Sequence, residues 1–258
     1  MARSLLRGFF VNVSLYQAAA ALDANSRWQE VIADNLASSS VPGYKQEQLT
    51  QAAVQAGLLP VNGARNAARN FSMPQTSTST NFNPGELKYT GNSTDVAIEG
   101  KGFFEVQLPN GMTGLTRDGE FQVNSQGQLV TKESFPVMGV SGTIQFSHDH
   151  SGPLSISATG LVSQGAQVRG QLKVVDVAKP QLLTKINGAY FMAKDSKAGL
   201  DQSKATLREG YLEGSNASTL TEMASMMTAS RGFEANQKVI QIQDDRLNRT
   251  ISELGAPT

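Results

Sequence analysis

The feature that most constrains this chain is a seven-residue repeat of large apolar side chains close to its C-terminus. The repeat lies in a segment whose pattern predicts one long helix from Thr219 to Leu254. At about 1.5 Å per residue, such a helix is on the order of 54 Å long. Strict seven-residue spacing is typical of a coiled coil, because the stripe stays on one side only when helices wind around each other. The repeat consists of Met226, Phe233, Ile240, Leu247 and Leu254.

The second line of this coiled-coil seam is incomplete. Three residues before each member of the repeat, the side chains are apolar at both ends of the helix and polar in its middle. Burying one large apolar side chain stabilises a structure by about 1.5–3 kcal/mol, so we expect another helix to cover the stripe. The companion positions are Met223, Ser230, Gln237, Asp244 and Ile251.

A weaker pattern with the same spacing predicts a helix over residues 15–37. The simplest arrangement pairs this helix with the C-terminal one and leaves residual apolar faces for other subunits. Two alternatives stay open: the N-terminal helix packs on a local globular core, or the C-terminal stripe forms a plain coiled-coil homodimer. The N-terminal stripe consists of Leu15, Ala19, Leu22, Ser26, Gln29, Ile32, Ala33 and Leu36, of which Leu15, Leu22, Gln29 and Leu36 are a heptad apart.

The segment after the first helix is predicted to be a turn and a linker. Pro42 and Gly43 end the helix, because proline biases its predecessor toward extended backbone and Pro-Gly favours a tight turn. Residues 46–84 are rich in Gln, Ala, Asn, Ser and Thr, which predicts an extended linker. Within it we expect a short helix near Gln48–Ala56 and a later extended strand.

Residues 85–207 have a period of two, which is typical of strands. Short alternating segments are separated by turn sequences such as Asp118-Gly119 and Asn187-Gly188, as in antiparallel hairpins. The predicted fold class is therefore α+β: an all-β, antiparallel, hairpin-rich central domain flanked by N- and C-terminal coiled-coil-forming helices. The expected segments are 1–45 for the N-terminal helix and Pro-Gly turn, 46–84 for the linker, 85–207 for the β-domain and 208–258 for the C-terminal helix.

Composition excludes several classes of function. Lys plus Arg and Asp plus Glu number 22 each, so no net field favours nucleic acid or an anionic membrane. The chain contains no cysteine, which excludes disulfides, thiol catalysis and cysteine-ligated metals. His148 and His150 are the two histidines and flank Asp149 without a further ligand cluster. No pattern of a catalytic nucleophile or a cofactor site stands out, so we expect no enzyme, no cofactor and no metal site.

The apolar start of the chain predicts neither a cleaved leader nor a membrane anchor. Arg7, Asn12 and Ser14 interrupt it, which is unfavourable for a signal peptide. No later run approaches the roughly 18 apolar residues that a membrane span needs.

Three stretches resemble the flagellar basal-body rod and hook protein family, in that family's order. The first is Ile32–Lys45, which holds the helix end and the Val-Pro-Gly-Tyr turn. The second is Tyr89–Phe104, continued by Thr116–Phe121, and the third is Gly210–Asn216, continued by Arg231–Glu234. The signature residues are Asn35, Leu36, Pro42, Gly43, Tyr44, Gly91, Asn92, Gly100, Gly102, Phe103, Gly210, Leu212, Glu213, Ser215 and Asn216.

The resemblance implies a non-catalytic rod subunit, either proximal or distal. Such a subunit is exported unfolded by the flagellar type III apparatus without signal cleavage, and it assembles in the periplasm as a helical tube that transmits torque. The implied partners are copies of itself, other rod and hook subunits and the export apparatus. The alternative is a stand-alone coiled-coil homodimer with a ligand-binding β-domain. The helix interface expected for the rod subunit consists of Leu15, Leu22, Ile32, Leu36, Met223, Met226, Phe233, Ile240, Leu247, Ile251 and Leu254.

Overall fold

The computed structural model describes residues 13–60, 68–147, 152–193, 199–203 and 205–255. Both predicted terminal helices are confirmed: α1 is Val13–Ala37 and α2 is Thr219–Gly255. The 37 residues of α2 contain no proline, and the helix ends at a glycine, where helices commonly stop. Among the described residues, no helix is both long and apolar enough to cross a membrane.

The region between the helices consists mainly of short strands joined by tight turns. A 3₁₀ helix, Pro180–Leu182, precedes one of them. The strands of the described residues are β1 (Glu47–Pro60), β2 (Ala68–Thr80), β3 (Leu87–Tyr89), β4 (Val96–Glu99), β5 (Phe103–Gln107), β6 (Thr113–Thr116), β7 (Phe121–Val123), β8 (Leu129–Thr131), β9 (Met138–Gly139), β10 (Gly142–Thr143), β11 (Leu154–Ile156), β12 (Leu161–Gln164), β13 (Gln167–Gln171), β14 (Val174–Val177), β15 (Leu183–Asn187), β16 (Tyr190–Ala193), β17 (Leu200–Gln202), β18 (Thr206–Glu209) and β19 (Tyr211–Glu213).

The largest sheet has six strands in the order β15-β16-β6-β5-β14-β17, and its neighbouring strands are antiparallel. Smaller antiparallel groups are β11-β12-β13, β7-β8 and β9-β10. The strands that precede α2 return to early strands, since β18 pairs with β4 and β19 pairs with β3. The predicted α+β class with an antiparallel central region is confirmed.

The six-stranded sheet is covered on both faces. Successive residues of a strand point to opposite faces, and Phe103 and Phe104 of β5 accordingly enter two different apolar clusters. Neighbouring residues of β14 and of β16 are divided between the two clusters in the same way. One cluster contains Phe104, Val174 and Tyr190, and the other contains Phe103, Val175 and Phe191.

The chain divides into two compact units. One comprises residues 1–34, 48–79 and 220–258, and the other comprises 35–47 and 80–219. In the first unit, a Cβ atom placed on Gly232 of α2 would lie 3.3 Å from Nδ2 of Asn25, so α1 and α2 are in contact there. Ala24 and Ala229 are buried in this unit.

The prediction of a short helix near Gln48–Ala56 is wrong. This segment belongs to β1, which pairs with β2 in a two-stranded sheet. Glutamine and alanine favour a helix only weakly as an intrinsic preference, and pairing with another strand overrides that preference. Residues 46–84, expected to form a linker, therefore contain two long strands.

Candidate functional site

The turn after α1 contacts the residues that precede α2. The N–H of Gly43 donates to the carbonyl oxygen of Glu213 at 2.7 Å, and the N–H of Asn216 donates to the carbonyl oxygen of Tyr44 at 3.4 Å. Gly43 has a φ of +68°, and a Cβ atom there would lie 2.2 Å from the backbone nitrogen of Asp118. Only glycine fits this position, because it tolerates the left-handed backbone and leaves room for the opposing chain.

Beside this turn, one buried carboxylate binds two cations. Oε1 of Glu213 accepts hydrogen bonds from Nζ of Lys45 and from the N–H of Gly85, the latter at 2.9 Å. Its Oε2 accepts from Nη1 of Arg117 at 3.0 Å. The side chains of Lys45 and Glu213 are each only 1% exposed. Glu213 therefore holds together residues from three distant parts of the sequence.

Burial opposes charge on both cations of this group. Burial lowers the pKa of Lys45 and of Arg117, and the ion pairs with Glu213 partly counteract that shift. Arg117 also donates to the carbonyl oxygen of Gly100 at 2.7 Å, and its guanidinium lies 5.4 Å from the centre of the Phe103 ring. Both cations thus form hydrogen bonds in addition to their ion pairs with the single carboxylate, while Nε of Arg117 is buried without a hydrogen-bond partner in the described part of the chain.

Two asparagine side chains hold the extended backbone that follows the turn. Asn35 donates to the carbonyl oxygen of Glu47 at 2.8 Å and accepts from the N–H of the same residue at 2.9 Å. Asn216 accepts from the N–H of Gln46 at 2.7 Å and donates to the carbonyl oxygens of Asn81 and Asn83. Each amide supplies both a donor and an acceptor to extended backbone, as the backbone of a neighbouring strand would.

The hydroxyl of Tyr44 closes the group, since it donates to Oδ1 of Asn35 at 3.0 Å and accepts from Nζ of Lys185 at 2.9 Å. We call the whole group the junction cluster, because its members come from the last turn of α1, the turn that follows it, a connection between strands and the segment that precedes α2. The junction cluster consists of Asn35, Tyr44, Lys45, Arg117, Glu213 and Asn216.

Helix α2 has a covered side and an exposed side. Ala229 and Glu222 are buried, and Met226, Phe233 and Ile240 are half-buried beside them. The covered companions of the repeat therefore lie three residues after its members, at Ala229, Asn236 and Gln243. The companions expected three residues before them are more exposed: Met223 is 52% exposed, Gln237 and Asp244 are exposed, and Ser230 is half-buried. Heptad spacing alone does not distinguish the two sides of the stripe.

The opposite side of α2 carries several large apolar side chains in water. Leu220 is 79% exposed and Met227 is 60% exposed. At 100° per residue, these side chains point away from Ala229. We call this side the outer face; its apolar members are Leu220, Met223, Met227 and Ile242.

Two family models match the chain. Residues 97–164 match the "Flagellar hook protein FlgE/F/G D1 domain", and residues 208–253 match the "Flagellar basal body rod FlgEFG protein C-terminal". The flagellar basal-body rod protein FlgG of Buchnera aphidicola subsp. Schizaphis graminum is 30% identical over 270 residues, which cover 93% of this chain and 99% of that protein. The chain belongs to the flagellar basal-body rod protein family.

Other rod proteins match at similar identity. FlgF of Escherichia coli K12 is 30% identical over 92% of this chain and 96% of its own length. FlgG of Borreliella burgdorferi is 30% identical over 91% of this chain and 96% of its own length. The family consists of structural proteins of the flagellar basal body and not of enzymes, as the sequence predicted for this chain.

The junction cluster contains several rod-family signature residues. Asn35, Tyr44, Glu213 and Asn216 are members, and Gly43 lies against it. A second group surrounds the β3–β19 pair, where the N–H of Gly91 donates to the carbonyl oxygen of Gly210 at 3.2 Å. Among the other signature residues, Gly102 and Phe103 are buried, Leu36, Pro42, Leu212 and Ser215 are half-buried, and Asn92 and Gly100 are exposed.

Sequence reasoning did not select Lys45 and Arg117 as site residues of this rod-family chain. Both lie inside stretches that resemble the family, yet charged residues in a signature are usually solvated. A signal that could have found them is their position in the sequence: Lys45 follows Tyr44 and Arg117 precedes Asp118, and both of these neighbours are buried.

Of the expected interface residues, Ile32 is buried, and Leu22 and Leu36 are half-buried. The side chains of Leu15, Leu247, Ile251 and Leu254 lie outside the described residues, as do His148, Asp149 and His150. The described residues contain no group of three His, Asp or Glu side chains arranged to hold a metal ion.

Proposed function

We propose that this chain is a structural subunit of the flagellar rod that self-assembles through its terminal helices into a helical tube and transmits torque. The observation that carries the proposal is the outer face of α2. Met223, Met227 and Leu220 lie within two turns of one another and are more than half exposed. Burying such side chains is favourable by about 1.5–3 kcal/mol each, so a neighbouring subunit gains by covering them.

The proposed tube is an open assembly. A contact between two different patches repeats without closing when the rotation between subunits does not return to its start, and a helical filament results. The proposed subunit or helix interface includes Leu22, Ile32 and Leu36 on α1, of which Ile32 is already buried within the chain. The exposed side chains of α2 form coiled-coil packing with adjacent subunits. The side chains of Leu15, Leu247, Ile251 and Leu254 belong to the same proposal.

The proposed location is the periplasmic rod between motor and hook, with other rod and hook subunits as neighbours. The subunit reaches it unfolded through the flagellar export apparatus, without cleavage of a signal peptide. The terminal helices form the tube wall.

The test is the double variant M223Q/M227Q, expressed in place of the wild-type chain in its own flagellated bacterium. Both methionines are exposed, so the free energy of unfolding should change by less than about 0.5 kcal/mol. Motility and the recovery of complete rods in isolated basal bodies should nevertheless be lost.

The matched control is M112Q, which replaces a 44% exposed methionine between β5 and β6. It should leave motility intact. Normal rods in the M223Q/M227Q strain would contradict the proposal. A wild-type chain that forms a stable dimer and never a larger assembly in analytical ultracentrifugation would favour the stand-alone homodimer instead.

A further inference from the structure

An open groove of about 570 Å³ is lined by α1 and by strands β1 and β2. We call it the α1 groove; its helix wall includes Asp23, Arg27 and Glu30, and its strand wall includes the hydroxyl side chains of residues 76–78. At 100° per residue, these three charged residues lie roughly opposite Asn25, which contacts α2 of the same chain. The α1 groove therefore lies on a different side of α1 from that contact.

The helix wall of the α1 groove carries charges in the order acid, base, acid. Asp23 and Arg27 form an exposed ion pair at 3.1 Å. Glu30 follows three residues later, is exposed and forms no ion pair within 4.0 Å in the described part of the chain. Asp34 is also exposed and continues the line by one turn. This side of α1 thus has three acids and one base.

The outer face of α2 carries charges in the complementary order. Arg231, Glu234 and Lys238 are exposed, and none of them forms an ion pair within 4.0 Å among the described residues. Their order is base, acid, base, with steps of three and four residues. Asp245 and Arg249 continue the line toward the end of the helix. The outer face thus has three bases and two acids, the opposite balance to that of α1.

We propose that the α1 groove of one copy receives the outer face of α2 of a second copy, with the two helices antiparallel. This inference rests on the proposed function and names the surface that covers the outer face. Read backwards, the charges of α1 have the same steps of three and four residues as those of α2, which is the spacing of a coiled-coil seam. All three pairs therefore come level together. The pairs are Glu30 with Arg231, Arg27 with Glu234 and Asp23 with Lys238.

The neighbouring side chains fit the same alignment. Asp34 lies about 6 Å along the axis from Arg231, so the remaining acid of α1 also has a base beside it. Ile242, which is 50% exposed on α2, comes level with Ala19, a small exposed residue of α1. An apolar side chain of α2 thus faces a small apolar one at the other end of the contact.

The contact joins two different surfaces, so it remains open to further copies. The first copy keeps its outer face free, and the second keeps its α1 groove free. Within one chain the helices run in opposite directions, because Asn25 lies beside Gly232 and the hydroxyl of Thr219 donates to that of Ser39 at 3.0 Å. Between copies Asn25 comes level with Asn236, four residues further on. Each copy is therefore shifted by about 6 Å along the axis, and repetition gives a helix and not a closed ring.

A parallel alignment fits less well. It would pair Asp23 with Arg231 and Glu30 with Lys238, but Arg27 would be one residue out of level with its acid on α2. Since the two helices of a chain run in opposite directions, a parallel contact would also invert each copy relative to the one before. Subunits of a helical tube all keep one direction along its axis. The antiparallel alignment is therefore the one compatible with the proposed function.

The test reverses the charges of one surface at a time in the chain expressed by its own flagellated bacterium. The variant D23K/R27E/E30K reverses the α1 groove, and R231E/E234K/K238E reverses the outer face. Each variant alone should lose motility and complete rods, because exposed attractive pairs become repulsive at every contact along the rod. The sixfold variant, which carries both sets, should regain motility and rods. Circular dichroism of the purified chains should show unchanged helix content in all three.

The matched control is K179E, which changes the net charge by as much as R231E/E234K/K238E does. Lys179 is exposed and lies before the 3₁₀ helix, away from both terminal helices. This variant should form normal rods. Normal rods in both threefold variants would overturn the proposal. A folded sixfold variant that forms no rods would overturn it as well, since restored complementarity would then have no effect.

Cysteine cross-linking tests the direction of the helices, since the chain has no cysteine of its own. Disulfides require Cα atoms within about 7 Å of each other. In isolated basal bodies, a chain with both E30C and R231C should form covalent multimers larger than dimers, because each copy offers one cysteine to each of two neighbours. A chain with D23C and R231C should not. Multimers from the second chain alone would establish the parallel alignment, and dimers alone from the first would establish a closed contact; either result overturns the proposal.

Failure of this inference and failure of the proposed function have different signatures. If M223Q/M227Q abolishes rods but both threefold charge variants form them, the outer face is a docking surface and the α1 groove is not its partner. If M223Q/M227Q forms normal rods, the proposed function fails, and this inference fails with it.

Discussion

The junction cluster and the outer face of α2 differ in how far one chain satisfies their side chains. In the junction cluster, Glu213 is 1% exposed and its two carboxylate oxygens accept from two cations and a backbone N–H. On the outer face, Leu220 is 79% exposed, and Glu234 and Lys238 have no partner in the described part of the chain. The first region forms its ion pairs within one chain, whereas the second leaves its side chains in water.

This difference separates two kinds of defect. A substitution in the junction cluster should lower the stability of the folded monomer, because buried charges depend on their partners. A substitution on the outer face should leave the monomer unchanged and act only on assembly. The following predictions test the first half of this division, from the largest expected effect to the smallest.

The substitution Glu213→Gln should have the largest effect. It leaves Lys45 and Arg117 buried without a counter-charge, and it places an amide that donates hydrogen bonds opposite two donors. Removing one partner of a buried ion pair typically costs about 3–5 kcal/mol. Urea unfolding of the full chain, followed by circular dichroism, should show a loss of this size.

The control is Glu99→Gln, which breaks the bidentate pair of Glu99 with Arg208 on the surface. Both side chains of that pair are about half exposed, at 48% and 46%. The unfolding midpoint should stay within experimental error of the wild type, since water replaces the lost partner. Equal effects of the two substitutions would remove the distinction between a buried cluster and a solvated pair.

The helices were the part of the fold that the sequence predicted best. The expected start of α2 at Thr219 is confirmed, and its end differs by one residue, because the apolar repeat is long and Gly255 stops it. Strands were found where polar and apolar residues alternate or where a turn motif follows. The pairings of β18 with β4 and of β19 with β3 could not be predicted, since contacts between residues more than 100 apart leave no local pattern.

The site was harder to predict than the fold. Asn35, Tyr44, Glu213 and Asn216 were selected through resemblance, and the structure brings them together. Their roles could not be derived, because a capping amide and a solvated amide look alike in a sequence. Met223, expected at a subunit or helix interface, lies on the exposed side of α2, whereas the smaller Ala229 is buried.

The substitution Gly43→Ala should have the second largest effect. Gly43 combines a φ of +68° with an opposing backbone, where the new Cβ would lie 2.2 Å from the nitrogen of Asp118. Its control is Gly111→Ala, which has a φ of +76° and no atom within 4 Å of the added Cβ. Backbone strain alone should cost about 1–2 kcal/mol at Gly111, and displacement of the opposing chain should add about 1–3 kcal/mol at Gly43.

Thermal unfolding of the two glycine variants measures this difference directly. A large loss for Gly43→Ala beside a small one for Gly111→Ala would show that the turn is held tightly against residues 117–118. If both variants lost the same stability, the close approach would be tolerated by movement of the loop, and the junction cluster would be less rigid than its contacts indicate.

The smallest of the three effects concerns a carboxyl group beside the junction cluster. Asp118 is buried, and burial raises its pKa from 3.8 to about 7; the nearby carboxylates of Glu120 and Glu133 add to this shift. The N–H of Glu120, which donates to Oδ1 at 2.9 Å, and the charge of Lys132 oppose it. Unlike Glu213, this acid has no buried cation as a partner among these neighbours, so its ionised form is the costly one.

The expected pH dependence follows from the raised pKa. Between pH 4 and 7 the folded chain keeps a proton on Asp118 that the unfolded chain has released, so the free energy of unfolding falls as pH rises toward 7. Asp118→Asn removes this contribution while its amide oxygen can still accept from the N–H of Glu120. At about 1.4 kcal/mol per pKa unit, partly offset by relaxation of the loop, the variant should be about 2 kcal/mol more stable than the wild type at pH 8 and nearly equal to it at pH 4.

Urea unfolding of both chains from pH 4 to pH 8 gives the difference curve. Asp201→Asn, which replaces an exposed carboxyl of β17, is the control for the substitution as such. A difference that stays constant across this range would mean that Asp118 is ionised in the folded chain at pH 4 and above. The region beside the junction cluster would then accommodate an unpaired buried charge at little cost, and the contrast between an ion-paired cluster and an unpaired acid beside it would be lost.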